Sequence, residues 1–183
     1  MKKNLTTLVL LFIGLSVLAQ WQPQGNKLKT KWAEEVNPQN TLPEYPRPIM
    51  ERTQWKNLNG LWNYTIQAVG KVAPKAYQGK ILVPFAVESS LSGVMKTVGS
   101  ENEIWYETNF TVDNSWKSKD ILLHFGAVDW KTEVWINDIK VGTHTGGFTP
   151  FSFNITPFLK GTNQKLVVKV WDPTSDGPQP RGK

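Results

Sequence analysis

Along much of this chain apolar and polar side chains trade places at every second residue, and that period decides what it can fold into. Trp62, Tyr64, Ile66 and Ala68 share one parity, with Asn63, Thr65 and Gln67 between them. Tyr106, Thr108, Phe110 and Val112 alternate with Glu107, Asn109 and Thr111. Ile121, Leu123 and Phe125 continue the pattern, as do Thr132, Val134 and Ile136. Phe151, Phe153 and Ile155 form another set, and Leu166, Val168 and Val170 the last. Ile81-Leu82-Val83 is a short apolar run. Successive side chains of a strand point to opposite faces, so each set predicts a strand with one face on a core. Aromatic and β-branched residues fill these segments, while Gly, Pro, Asn and Asp fill the gaps. Asn137-Asp138 tolerates left-handed backbone and predicts a hairpin turn. Helical period is confined to one turn, where Pro157 suits the first position and Gly161 the stop. About seven or eight short strands at near-regular spacing predict an all-β fold, a jelly-roll β-sandwich.

The chain has no cysteine. Such a sandwich must rest on its apolar core, and disulfides and thiolate metal sites are excluded. Lys2 and Lys3 precede an apolar run from Leu8 to Leu18, and Val17-Leu18-Ala19 reads as a cleavage pattern. This predicts a secretory signal peptide over residues 1–19, because a membrane span needs about 20 apolar residues. An uncleaved anchor is the alternative. The protein is therefore expected to be exported, periplasmic or extracellular, with no membrane contact after cleavage. Residues 20–44 carry Pro23, Gly25, Pro38 and Pro43 and hold no sustained period, so they predict a lead-in segment. Residues 45–183 predict the folded domain. The net charge of +6 falls to +4 without Lys2 and Lys3. Basic and acidic residues are interspersed rather than gathered in a stripe, so nucleic acid is not an expected partner. Nine tryptophans supply large flat faces suited to core packing or to sugar rings.

Five ordered blocks resemble one family. They are Arg47-Pro48-Ile49-Met50-Glu51-Arg52 with Trp55 to Trp62, then Val83-Pro84-Phe85-Ala86-Val87-Glu88-Ser89, then Trp105-Tyr106 with Phe110. The fourth is His124-Phe125-Gly126-Ala127-Val128-Asp129-Trp130, running on to the block His144 to Phe151. The fifth is Val170-Trp171-Asp172-Pro173. Together they resemble the N-terminal sugar-binding domain of glycoside hydrolase family 2, whose members include β-galactosidases, β-glucuronidases and β-mannosidases. The resemblance implies a jelly roll followed by an immunoglobulin-like domain and a (β/α)8 barrel that holds two catalytic glutamates. It implies that the parent is a retaining β-glycosidase, β-galactosidase-like, with carbohydrate (a β-glycoside, oligosaccharide or polysaccharide) and its own downstream domains as partners. It also implies a further strand after the last loop. Without that strand one sheet edge stands unpaired, and the chain is expected to be less stable alone. A stand-alone carbohydrate-binding module and a purely structural domain are the alternatives.

Catalytic residues are not expected within these residues, and neither is a cofactor or a metal. Retaining hydrolysis needs two carboxyl groups about 5–5.5 Å apart, and Glu101 and Glu103, the pair that share a strand face, read as a solvated edge. His124 sits inside an apolar strand and His144 in a glycine-rich turn, where structural roles are expected. Two histidines without cysteine give no zinc spacing. Asp129 is expected to satisfy backbone N–H groups at its corner. In the family, the loop after Trp171 faces the barrel mouth. The resemblance therefore implies Asp172, Asp176, Arg181 and Lys183 as substrate-binding rim residues. A Pro-stiffened linker is the other reading of that loop.

Overall fold

A computed structural model describes residues 21–26 and 28–176. The expected signal peptide therefore lies outside the described residues, as do Arg181 and Lys183. Eight strands are found among the described residues: β1 (Gly60–Ala68), β2 (Gly79–Val83), β3 (Asn102–Thr111), β4 (Leu122–Phe125), β5 (Lys131–Ile136), β6 (Ile139–Thr145), β7 (Phe151–Asn154) and β8 (Asn163–Trp171). Helical structure among these residues is limited to short 3-10 turns, the longest being Lys31–Glu35. None is long and apolar enough to cross a membrane.

The chain crosses repeatedly between two layers. One sheet runs β2-β1-β3-β8-β5-β6 and the other pairs β4 with β7, and every pairing is antiparallel. The alternating residues meet between the layers. Trp62, Ile81, Ile104, Phe110, Val134, Ile136, Leu166, Val168 and Val170 project from the large sheet. Leu123 and Ile155 close on them from the other side, with Phe125 and Phe153 packed against the cluster. The fold is thus the all-β sandwich that the alternation predicts. The Asn137-Asp138 turn forms as expected, with φ of +49° and +69°. Asn137 also ties the turn to the core edge. Its amide donates to Phe158 O and Gln164 Oε1, and its Oδ1 accepts from Lys165 N.

The outer face of the large sheet is not the wetter surface that alternation predicts. Thr65, Glu103, Trp105 and Val167 are 5%, 3%, 4% and 8% exposed. Glu103 is therefore no solvated edge, and the reason is its neighbours. It accepts from Trp105 Nε1 at 3.0 Å and lies 3.7 Å from Lys169 Nζ. Lys169 also pairs with Glu133 at 2.5 Å, and Glu133 pairs in turn with Lys140. Trp105 and Trp135 stack beside this ladder at 5.4 Å, and Lys169 sits over both rings. Four adjacent strands thus cover their own outer face with long side chains. Burial pushes the Glu133 carboxyl up, but hydrogen bonds from Lys140 and Lys169 outweigh it and hold it below its usual value.

Candidate functional site

The layers are unequal, and the consequence is a cleft. Six strands face two, so part of the inner surface of the large sheet is not covered by β4 and β7. A cleft of about 1790 Å³ opens there. Its floor holds Trp62, Ile104, Tyr106, Phe110, Leu166, Val168 and Val170. One wall is β4 and the residues that follow it to Asp129. The other is an irregular strap of residues 42–59, and residues 83–88 close one part of the rim.

Side-chain hydrogen bonds hold the strap in place of regular structure. Asn57 and Asn59 donate to the carbonyls of Thr41 and Leu42, Trp62 Nε1 donates to Leu58 O at 2.8 Å, and Lys56 Nζ reaches Thr111 O at 3.0 Å. Thr41, only 3% exposed, anchors this knot. Residues 87–95 are held around the fully buried Ser92, whose Oγ donates to Val87 O and accepts from Val94 N.

Six carboxylates line the cleft, Glu44, Glu51, Glu88, Asp120, Asp129 and Asp172. Asp172 Oδ1 accepts from Thr174 N at 2.7 Å, an Asx turn that shapes the loop after β8. Asp129 lies against Gly147, where a Cβ would collide with its carboxylate. That contact places Asp129 at the corner where it was expected to grip backbone. Glu88 acts on Tyr106: burial first, then the Glu88 charge, pushes the phenol well above its ordinary value. Tyr106 is therefore a neutral O–H in an otherwise apolar floor.

Of the four rim residues expected from sequence, Asp172 lines the cleft. Asp176 is turned aside and accepts from Ser100 Oγ at 3.2 Å. Trp171 Nε1 donates to Ser100 O at 2.8 Å, so the same serine fixes both ends of this loop. Glu88 and Tyr106 went unremarked as site residues, because nothing in their spacing shows that a cleft lies between them. His124 lies within a strand, as expected. It points outward from β4 and its Nδ1 lies 2.5 Å from Ser152 Oγ on β7. Burial, then Arg47 and Arg52, hold its imidazole below the usual histidine range. His144 belongs to β6 rather than to the glycine turn, and it stacks on Phe151 at 4.0 Å. Among the described residues no cluster of three or more His, Asp or Glu could hold a metal ion.

This arrangement can bind. It offers an apolar floor with one phenol donor, a carboxylate rim and a polar, partly cationic wall, which is the mix that recognises small polar ligands. Comparison with known proteins points the same way. Residues 93–178 match the family model described as glycosyl hydrolases family 2, sugar binding domain. A β-glucuronidase of Paenibacillus borealis is 26% identical over 133 residues, covering 69% of this chain and 22% of the relative. A β-galactosidase of Thermoanaerobacter pseudethanolicus is 39% identical over 66 residues, covering 36% of this chain and 9% of the relative. Among solved structures, a Lactobacillus rhamnosus β-glucuronidase superposes with a TM-score of 0.54 at 28% identity, covering 64% of this chain and 21% of that one. A Ruminococcus gnavus β-glucuronidase in complex with D-glucaro 1,5-lactone gives 0.52 at 25% identity, covering 67% and 23%. The chain spans at most about a quarter of the length of these relatives.

Proposed function

We propose, from the premise that this chain carries a sugar-binding domain of glycosyl hydrolase family 2, that it is the non-catalytic accessory domain of an exported β-glycosidase. The observation that carries this reading is the open cleft. A sandwich whose core residues line an open cleft is suited to working against other polypeptide, since apolar surface of that extent favours being covered. Further domains of the parent enzyme are that polypeptide. Asp172 then contributes to the sugar-recognising rim. The parent hydrolyses a β-glycoside by a retaining mechanism. Its carboxylate pair is expected on the barrel that the family resemblance implies, outside this domain. Export to the periplasm or the cell exterior follows from the N-terminal sequence.

Two assays on the purified chain test this. Nitrophenyl β-galactoside, β-glucuronide and β-mannoside should give no turnover, and measurable hydrolysis that survives Glu88→Gln, Asp129→Asn and Asp172→Asn would be contamination. Turnover abolished by one of these substitutions would refute the accessory role. Titration with the same glycosides should quench the tryptophan fluorescence of the cleft, and Asp172→Asn should weaken that response about five-fold, the worth of one polar contact. An unchanged response removes Asp172 from the rim.

A further inference from the structure

The start of the lead-in segment is docked on the domain. Gln24 N donates to Ser90 O at 2.9 Å, and Ser90 Oγ donates back to Gln24 O at 2.5 Å. The Trp21 ring lies over Gly93, where an added Cβ would come within 2.7 Å of the indole. Gly25 lies against Met95 in the same way, with Sδ 2.6 Å from the position of an added Cβ. Residues 21–25 are thus held against the 87–95 loop, which is itself fixed around Ser92. Trp21 is half-buried, and its Nε1 is buried with no hydrogen-bond partner among the described residues. The residue before this docked tryptophan is Gln20, just outside the described residues, and Val17-Leu18-Ala19 comes before it.

We propose that the exported chain begins with a pyroglutamate formed from Gln20, and that this neutral end completes the docking of Trp21. The proposal rests on the export reading, in which a signal peptidase hydrolyses the Ala19–Gln20 peptide bond and frees the α-amine of Gln20. That amine then lies within its own side chain's reach, and closure is intramolecular. Its nitrogen bonds to Cδ of the side-chain amide, the Cδ–Nε2 bond breaks, and ammonia leaves with the proton that the amine gives up. Neither an oxidant nor a reductant is consumed. Gln22 and Gln24 cannot follow this route, because their backbone nitrogens are already amides. The product is a lactam without charge, so the modification removes the terminal cation. An α-ammonium one residue from a half-buried indole would resist the burial of its neighbour, since covering a charge is costly. The lactam resists it less and adds a carbonyl acceptor one residue from a ring whose N–H is unpaired.

The test expresses the full chain, residues 1–19 included, in a secreting bacterial host and reads the exported product by mass spectrometry. Its N-terminal peptide is expected to start at residue 20 and to be lighter by one ammonia than the free-glutamine form. Gln20→Ser in the same full chain should be cut at the same bond and keep its amine. NMR titration of the Trp21 indole N–H then separates the two products. In Gln20→Ser this signal should move between about pH 7 and 9, as an α-amine with a pKa of about 8 loses its proton. In the parent product no such step is expected. A product that starts with uncyclised Gln20 overturns the modification and leaves export standing. Cleavage at another bond does the same, whereas a chain that keeps residues 1–19 overturns the export reading as well. A Gln20→Ser signal that stays fixed across this range overturns the role of the neutral end in docking Trp21.

Discussion

Replacing Lys169 with Met should be among the costliest changes on the outer face of the sheet. The methionine keeps most of the aliphatic stem that packs between Trp105 and Trp135, so the change isolates the charge. It removes the 2.5 Å partner of Glu133 and the 3.7 Å partner of Glu103. Those carboxylate side chains are 13% and 3% exposed. Breaking a buried pair from one side costs about 3–5 kcal/mol, because the other charge is left uncompensated. Here the cost is smaller, since the Lys169 side chain is itself 20% exposed and water screens part of the pair. Each carboxylate also keeps another donor, Trp105 Nε1 for Glu103 and Lys140 for Glu133. The expected loss is about 2–3 kcal/mol at pH 7, read as a drop of roughly 5–10 °C in Tm for a domain of this size. Urea unfolding followed by tryptophan fluorescence measures it directly. The pH dependence has a definite sign. Glu133 is held below its usual pKa, so its contribution is full above the unfolded carboxylate value. It fades as pH falls through the lower folded value. The deficit of the variant should therefore be complete at pH 7 and narrow below about pH 4. A Lys169→Met chain within 0.5 kcal/mol of the parent at pH 7, on the measurement scale of surface substitutions, would refute the buried-ladder argument.

Two further substitutions test the fold. A Cβ on Gly142 would fall well inside van der Waals range of the Phe153 ring, so Gly142→Ala should cost about 1–3 kcal/mol by overpacking. Phe153→Leu in the same chain should recover part of that loss in a thermal melt. Asn137→Ala should cost about 2–3 kcal/mol, from its φ of +49° and from the two amide bonds that satisfy Phe158 O and Gln164. Asn137→Gly keeps the backbone and should lose about 1 kcal/mol less in urea unfolding, and equal losses would show that the turn conformation carries no strain.

Much of the sandwich was legible because burial of one face writes itself into every second residue. Thr132, Val134 and Ile136 are all fully buried, as their parity predicts, and the Asn137-Asp138 turn follows from the conformational tolerance of its two residues. The candidate site was legible only in part. Asp172 was reached through a resemblance carried by Val170 to Pro173, and the structure does place it on the cleft, but Asp176 faces Ser100.

The order of residues by itself determined which segments are extended, which face of each meets the core, and where the chain turns, since those depend on neighbours a few positions away. Only the tertiary structure decided that Glu103 and Trp105 are covered, and that six strands facing two leave a cleft. Each of these depends on which strands lie side by side. Ile104 meets Val170, and Asn63 meets Glu107, across separations that no local period encodes.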